Sequence, residues 1–308
     1  MDKGTSTSRA IEWPTLALLV ACYALWALAT LWVSTLSVPL AILLTVIAIA
    51  QHSSLTHEAM HGHPFRNASL NEATVFPCIG LFVPYRRFRD LHLAHHVDSI
   101  LTDPYDDPES NYLEPAVWHT LPRWLQQLLL LNNTLAGRMV FGPAISLVVL
   151  VKEDIHAIRS GDLAVRNAWL VHIPAVLPVL AWVAWSPMSI WAYLLAAYGG
   201  FSILKIRTFL EHRAHERCAG RTVVIEDKGP LALIFLNNNL HAVHHMHPTA
   251  AWYKLPRIFA QNRDKYLKRN EHYYYSSYKE IFMQHFFKAK DPVPHPIWEQ
   301  ERVREPAE

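Results

Sequence analysis

The sequence predicts an all-α fold: a polytopic membrane bundle of four helical spans carrying a helical cytosolic cap. Three observations carry this. The 308 residues are 51% apolar and 18% charged, too apolar for an ordinary soluble domain and too polar for a chain lying wholly in lipid. Apolar residues gather into runs long enough to cross a bilayer. Basic residues avoid the two short connections between paired runs, as the positive-inside rule requires of the far membrane face.

Residues 1–12 are polar and include Lys3 and Arg9. The first span is expected at 13–33, with Trp13 and Trp32 near its ends, where amphipathic aromatics prefer to sit. At about 1.5 Å per residue this run covers a hydrocarbon core of about 30 Å. It exceeds a signal-peptide core and no small-residue cleavage site follows, so it reads as retained. The second span is expected at 38–57. Its apolar part, 38–50, is short, but no Gly or Pro interrupts the continuation to His57 and His61.

Residues 73–85 are apolar but broken by Pro77, Gly80 and Pro84, the pattern of a re-entrant or interfacial segment rather than a span. Residues 103–109, rich in Asp and Pro, read as a solvated turn region. The runs 121–131 and 139–151 are short, and Gly142-Pro143 is expected to break the second; interfacial helices are expected there. Spans three and four are expected at 168–185 and 190–210, joined by Ser186-Pro187-Met188-Ser189. The far-side connections, 34–38 and 186–189, contain no Lys or Arg. Both termini and the cap, 58–167 and 211–308, are therefore expected in the cytosol. No repeat or linker divides the chain, so 1–308 reads as one domain.

The anomaly is 19 histidines. Most gather in clusters: His57 and His61; His92, His95 and His96; His241, His244 and His245; and the pair His212 and His215. Residues i, i+3 and i+4 of a helix share a face, so each cluster can address one site, and span counting puts all of them on one side of the membrane. Imidazole binds several transition metals. One ion is usually closed by three or four protein ligands, so eight clustered imidazoles point to two ions. The cysteines, Cys22, Cys78 and Cys218, are too scattered for an iron–sulfur cluster or a disulfide framework; they read as small apolar residues. His52 reads as a polar helix residue, His63 and His247 as turn or supporting residues, His172 as a satisfied buried histidine, and tyrosines 273–275 as packing. The net charge of +2 says little about partners, and no nucleic acid is expected.

The stretches His57-Glu58-Ala59-Met60-His61, His92-Leu93-Ala94-His95-His96 and His241-Ala242-Val243-His244-His245 resemble the HxxxH, HxxHH and HxxHH boxes of the membrane fatty acid desaturase–hydroxylase superfamily. The resemblance covers roughly residues 36–260, and three boxes in order with this span pattern form a specific signal. It implies a non-haem di-iron centre beneath a cytosolic cap, with dioxygen as co-substrate and a lipid chain as the molecule oxidised. The box histidines would be iron ligands. A further ligand would lie after the fourth span: His212 in Phe209-Leu210-Glu211-His212-Arg213, or His215. Glu211, Asn237 and Asn239 would support the ligands. No HPGG haem motif or glycine-rich dinucleotide fingerprint occurs. Electrons would therefore come from a separate ferredoxin, rubredoxin or cytochrome with its reductase. The first reading is an integral membrane acyl-lipid desaturase, in a bacterium of the inner membrane. The alternative is a hydroxylase or ketolase of a lipid, hydrocarbon or carotenoid. A metal transporter or sensor is the third, disfavoured because a transporter holds its ligands near the bilayer midplane.

Overall fold

The structure is a computed structural model that describes residues 11–97 and 99–298; Lys3 and Arg9 of the expected polar flank lie outside them. The membrane part starts with α1 (Trp13–Leu36), which passes through a π-helical segment at Ala29–Val33. There Thr30 Oγ1 donates to Trp26 O at 2.9 Å and Ser34 Oγ to Thr30 O at 2.6 Å. The chain reverses at Ser37, whose side chain accepts from Leu40 N and caps α2 (Val38–Met60). With no interior Gly and its one Pro in the first turn, α2 runs unbroken out of its apolar half to His57.

A short helix, α3 (Ala68–Thr74), leads into the broken apolar segment. That segment enters the bundle as the sequence suggested. Its irregular backbone is tolerated because the surrounding helices satisfy it. Cys78 N donates to Ala175 O at 3.1 Å, Tyr193 OH to Ile79 O at 2.7 Å, and His172 Nε2 to Leu81 O at 2.8 Å. Trp26 Nε1 in turn donates to Tyr193 OH at 2.9 Å.

The cap begins with α4 (Tyr85–His95), α5 (Pro115–Thr120) and α6 (Arg123–Asn132). Next comes the main departure from expectation. Residues Leu135–Arg159 form one 25-residue helix, α7, with Pro143 inside it. An interior Pro costs about 3 kcal/mol, which packing against a neighbouring helix offsets. Lys205 Nζ donates to Ser146 Oγ at 2.6 Å, and Tyr198 OH donates to Val140 O. The sharp entry into α7 needs Gly137, where an added Cβ would lie 1.8 Å from Leu131 O.

The helices α8 (Leu163–Trp185) and α9 (Ile190–Thr208) form the second hairpin. α9 lies so close to α2 that a Cβ on Gly200 would stand 2.5 Å from Ile49 Cγ2. Among the described residues, four helices are long and apolar enough to cross a membrane: α1, α2, α7 and α8. This list differs from the expected spans by including α7 and leaving out α9, which carries Lys205 and Arg207 in its last turn. Contacts show what holds the ends of α7. Arg138, near the start of α7, donates to Asn132 O at 2.9 Å and to Asn111 Oδ1. At its other end Asp154 accepts from Arg87 of α4 at 2.6 Å and from Trp169 Nε1 at 2.8 Å. Both ends of α7 are thus tied by polar contacts to segments of the chain near the histidines. Outward-facing Trp13, Trp32, Trp185 and Trp191 mark the bundle's ends.

The remaining cap holds a two-residue parallel pair, β1 (Val224–Ile225) with β2 (Tyr274–Tyr275). Around it lie α10 (Pro230–Ile234), α11 (His241–Met246), α12 (Leu255–Gln261), α13 (Arg263–Arg269) and α14 (Tyr278–His285). Phe209, Val223, Ile225, Phe235, Tyr273 and Ile281 form its core beneath the end of α9. Tyr273 OH donates to Leu210 O at 2.6 Å, so the first of the three tyrosines is structural.

Candidate metal centre

The end of α2 presents His57 and His61 one turn apart. The end of α4 presents His92, His95 and His96; α11 presents His241, His244 and His245. His212 follows α9 directly, held by an isolated bridge to Thr222 and by Lys290, whose Nζ donates to His212 O at 3.0 Å. These side chains form two adjoining groups: His57, His61, His92, His96 and His244 in one, His95, His212, His241 and His245 in the other. Within each group the candidate ligand atoms all lie within 4.8 Å of one another.

The nitrogens converge. His92 Nε2 lies 3.2 Å from His61 Nε2 and 2.9 Å from His96 Nε2. His244 Nε2 lies 3.2 Å from His96 Nε2. In the second group His212 Nε2 lies 2.8 Å from His95 Nε2 and 3.1 Å from His241 Nε2. The opposite ring nitrogens point outward to oxygen. His92 Nδ1 meets Glu109 at 3.1 Å, His95 Nδ1 meets Asp107 at 2.7 Å, and His241 Nδ1 meets Asn238 Oδ1 at 3.0 Å. An Nδ1–H held by an oxygen leaves Nε2 as a bare lone pair. Lone pairs crowded at these distances repel unless a cation sits among them, and His57 Nε2 is buried with no hydrogen-bond partner. The donor set fits a pair of nitrogen-ligated metal ions, with oxygen partners orienting the rings from behind.

Charge agrees with geometry. Burial, and then the neighbouring imidazoles, hold His212, His241 and His244 well below the usual imidazole pKa. They are therefore neutral, the form that binds metal. His95 goes the other way: burial lowers it, but the Glu109 and Asp107 carboxylates raise it to about 9, so without a metal its Nε2 carries a proton toward His212 Nε2, which a bound ion would displace. That anionic pair would offset the charge of a cation among the rings.

Three sequence expectations need correction here. The stretch 103–109 is not merely a solvated turn: Asp107 is buried and, with Glu109, faces the second histidine box. Asn237 and Asn239 do not reach the histidines. Asn237 Nδ2 donates to Trp252 O and Asn239 Nδ2 to Ile225 O, while Asn238 between them meets His241. His215 stands apart from both groups, its Nδ1 accepting from Arg217 N at 3.1 Å. Glu211 lies 3.1 Å from Arg207 Nε and 3.7 Å from His241 Nδ1. Among the remaining histidines, His63 Nδ1 meets Glu12 at 2.6 Å and His247 Nε2 meets Tyr266 OH at 2.8 Å.

Beside the first group lies a cavity of about 70 Å³ between α2, α4, α8, α9 and the inserted segment. Ile49, Val75, Phe88 and Phe201 give it an apolar wall. It closes on the metal side at Thr56, next to His57, and at Phe88, whose ring lies 5.9 Å from that of His92.

Comparison with known proteins agrees with this arrangement. The family model described as fatty acid desaturase matches residues 32–277. The chain is also 26% identical, over 231 residues, to the beta-carotene ketolase of Paracoccus sp. (strain N81106 / MBIC 01143), an overlap of 68% of this chain and 78% of the ketolase.

Proposed function

The chain belongs to the fatty acid desaturase family, and on that premise we propose that this membrane oxidoreductase is an O2-dependent di-iron enzyme that desaturates a lipid acyl chain. The observation that carries the di-iron assignment is the division of the imidazoles into two adjoining groups. His57, His61, His92, His96 and His244 hold one ion; His95, His212, His241 and His245 hold the other. When bound, the irons supply reductive activation of dioxygen and the oxidising power to break an unactivated C–H bond. The protein's own residues do the rest. Asp107, Glu109 and Asn238 fix ring orientation, and α2, α4 and α11 set the spacing of the groups. The cavity beside His57 and His92 receives a few carbons of the lipid next to the metal centre. Electrons come from an external carrier on the cytosolic side, where we place the cap.

A second reading has a specific observation behind it. The similarity to a beta-carotene ketolase favours oxygen insertion into a lipid or carotenoid by the same site. One experiment tests both. The purified chain is analysed for metal, then expressed in a host of defined lipids whose products are weighed. Close to two irons per chain and a product lacking two hydrogens support desaturation; a product carrying an added oxygen supports the second reading. Zinc, or one metal ion per chain, overturns the di-iron assignment.

A further inference from the structure

The cavity beside the first histidine group is apolar over much of its wall, with Ser53, Thr56 and the Glu72–Arg86 pair on its lining, and two imidazoles face it, His52 and His172. Proton bookkeeping shows what each presents. His172 Nε2 lies 2.8 Å from Leu81 O, a carbonyl that can only accept, so Nε2 carries the proton. Its Nδ1 is then a bare acceptor; it is buried and has no hydrogen-bond partner, and the residue is only 9% exposed. For His52 the argument takes one more step. Tyr23 OH lies 3.0 Å from Thr74 O, a carbonyl that can only accept; with its one proton there, the 2.9 Å contact with His52 Nε2 is donated by the ring. Thr56 Oγ1 donates to His52 O at 2.8 Å, so its 3.5 Å approach to His52 Nδ1 supplies no proton. His172 therefore holds a buried Nδ1 lone pair without a donor, and in this tautomer His52 holds a second whose one neighbour is the distant Thr56 Oγ1. Leaving a buried acceptor unsatisfied costs about 1–3 kcal/mol, and an apolar chain alone would leave both so.

We propose that this cavity recognises a hydroxyl group on the lipid substrate, the O–H donating to His172 Nδ1, with His52 Nδ1 as the neighbouring acceptor. The inference rests on the reading of the chain as a lipid oxidoreductase and adds the substrate class: a lipid bearing a free hydroxyl close to the carbon oxidised. At about 70 Å³ the cavity takes a hydroxyl with a few carbons, not a whole chain. It ends at Thr56 and Phe88, beside His57 and His92, so a hydroxyl held here fixes which carbon faces the metal centre.

The test is a binding measurement on the full chain in lipid nanodiscs, with two probes at equal mole fraction in the bilayer: 1-hexadecanol and its methyl ether, which keeps the chain and the oxygen but lacks the O–H donor. The wild type is expected to hold the alcohol about tenfold more tightly, the effect of one neutral hydrogen bond to an otherwise unpartnered acceptor. His172→Gln keeps a donor for Leu81 O and removes the ring acceptor; the preference should fall below about threefold. His52→Gln, which keeps a donor for Tyr23, should reduce it by a smaller factor and serves as the second variant if His172→Gln does not fold. Equal binding of both probes by the wild type, as expected if water alone fills the cavity, overturns the proposal. So does an undiminished preference in the variants that fold. The measurement needs no turnover. A protein that prefers the alcohol but yields no oxidised product would separate failure of the enzymatic reading from failure of this one.

Discussion

At the scale of single residues, the centre is built from rings whose orientation is set by what stands behind them. Asp107 shows this best. One carboxylate oxygen faces His95 Nδ1 and also accepts from Glu109 N at 2.9 Å, while the other accepts from Thr102 N at 2.8 Å. One side chain thus folds the loop and fixes the tautomer of a ring in the second histidine group. Asp107→Ala is expected to weaken metal retention about 10–100-fold, read as metal per chain after graded chelation, and Asp107→Asn, which keeps an acceptor, should fall between. Equal retention in all three proteins would rule out the positioning role. The histidines were legible in the sequence because HxxxH and HxxHH put imidazoles on one helical face whatever the rest of the chain does. Asp107, Glu109 and Asn238 were not, because they act across loops. Spacing says nothing of where a loop returns, and Asp/Pro composition describes a solvated turn as well as a buried one. The choice of His212 over His215 likewise depends on the chain leaving α9 in an extended path, and no helical periodicity reports that.

At the scale of elements, the hard case is α7. Its sequence holds two apolar runs with Gly142-Pro143 between them, and local rules break it there. Tertiary contacts override those rules, through α9 on one flank and the ties at Asn111 and Arg87 at the two ends. The Arg87–Asp154 pair is largely buried, with side chains 13% and 2% exposed. Asp154→Ala would leave a guanidinium without its partner, at about 3–5 kcal/mol; a fall in midpoint temperature well beyond that of Asp90→Ala, at the exposed Arg89–Asp90 pair, would show it. The path of α7 can be tested directly. In a chain freed of Cys22, Cys78 and Cys218, single cysteines at the exposed positions His119 and Ser160 should react with an impermeant thiol reagent from one membrane face, and Pro187→Cys from the other. Labelling of 119 and 160 from opposite faces would mean that α7 crosses. The spans α1, α2 and α8 were legible because length and hydropathy are local properties. The course of α7 is a property of its ends.

For the whole molecule, the two histidine groups join segments far apart in sequence: the end of α2, the end of α4, the stretch after α9, and α11. The histidines bring all four together at one point, and converging nitrogen lone pairs oppose that convergence when no cation is present. Metal binding should therefore stabilise the cap more than the bundle. A ligand that binds only the folded form stabilises by about 2.7 kcal/mol at a hundredfold excess over its Kd, and sites assembled from separate segments couple binding to folding most strongly. Stripping the metal should lower the midpoint of cap unfolding, speed proteolysis within 211–285, and leave the apolar helices protected by their lipid-facing surfaces and by the contacts that satisfy the inserted segment. Restoring ferrous iron should reverse both changes. Replacing His244, which lies in the first group beside His96, should mimic the stripped state in the intact chain, with helical content in the bundle kept. If cap and bundle lose protection together on stripping, the inserted segment, not the metal centre, is the main tie between the two parts, and Tyr193→Phe, which removes the donor to Ile79 O, would then be the more damaging change.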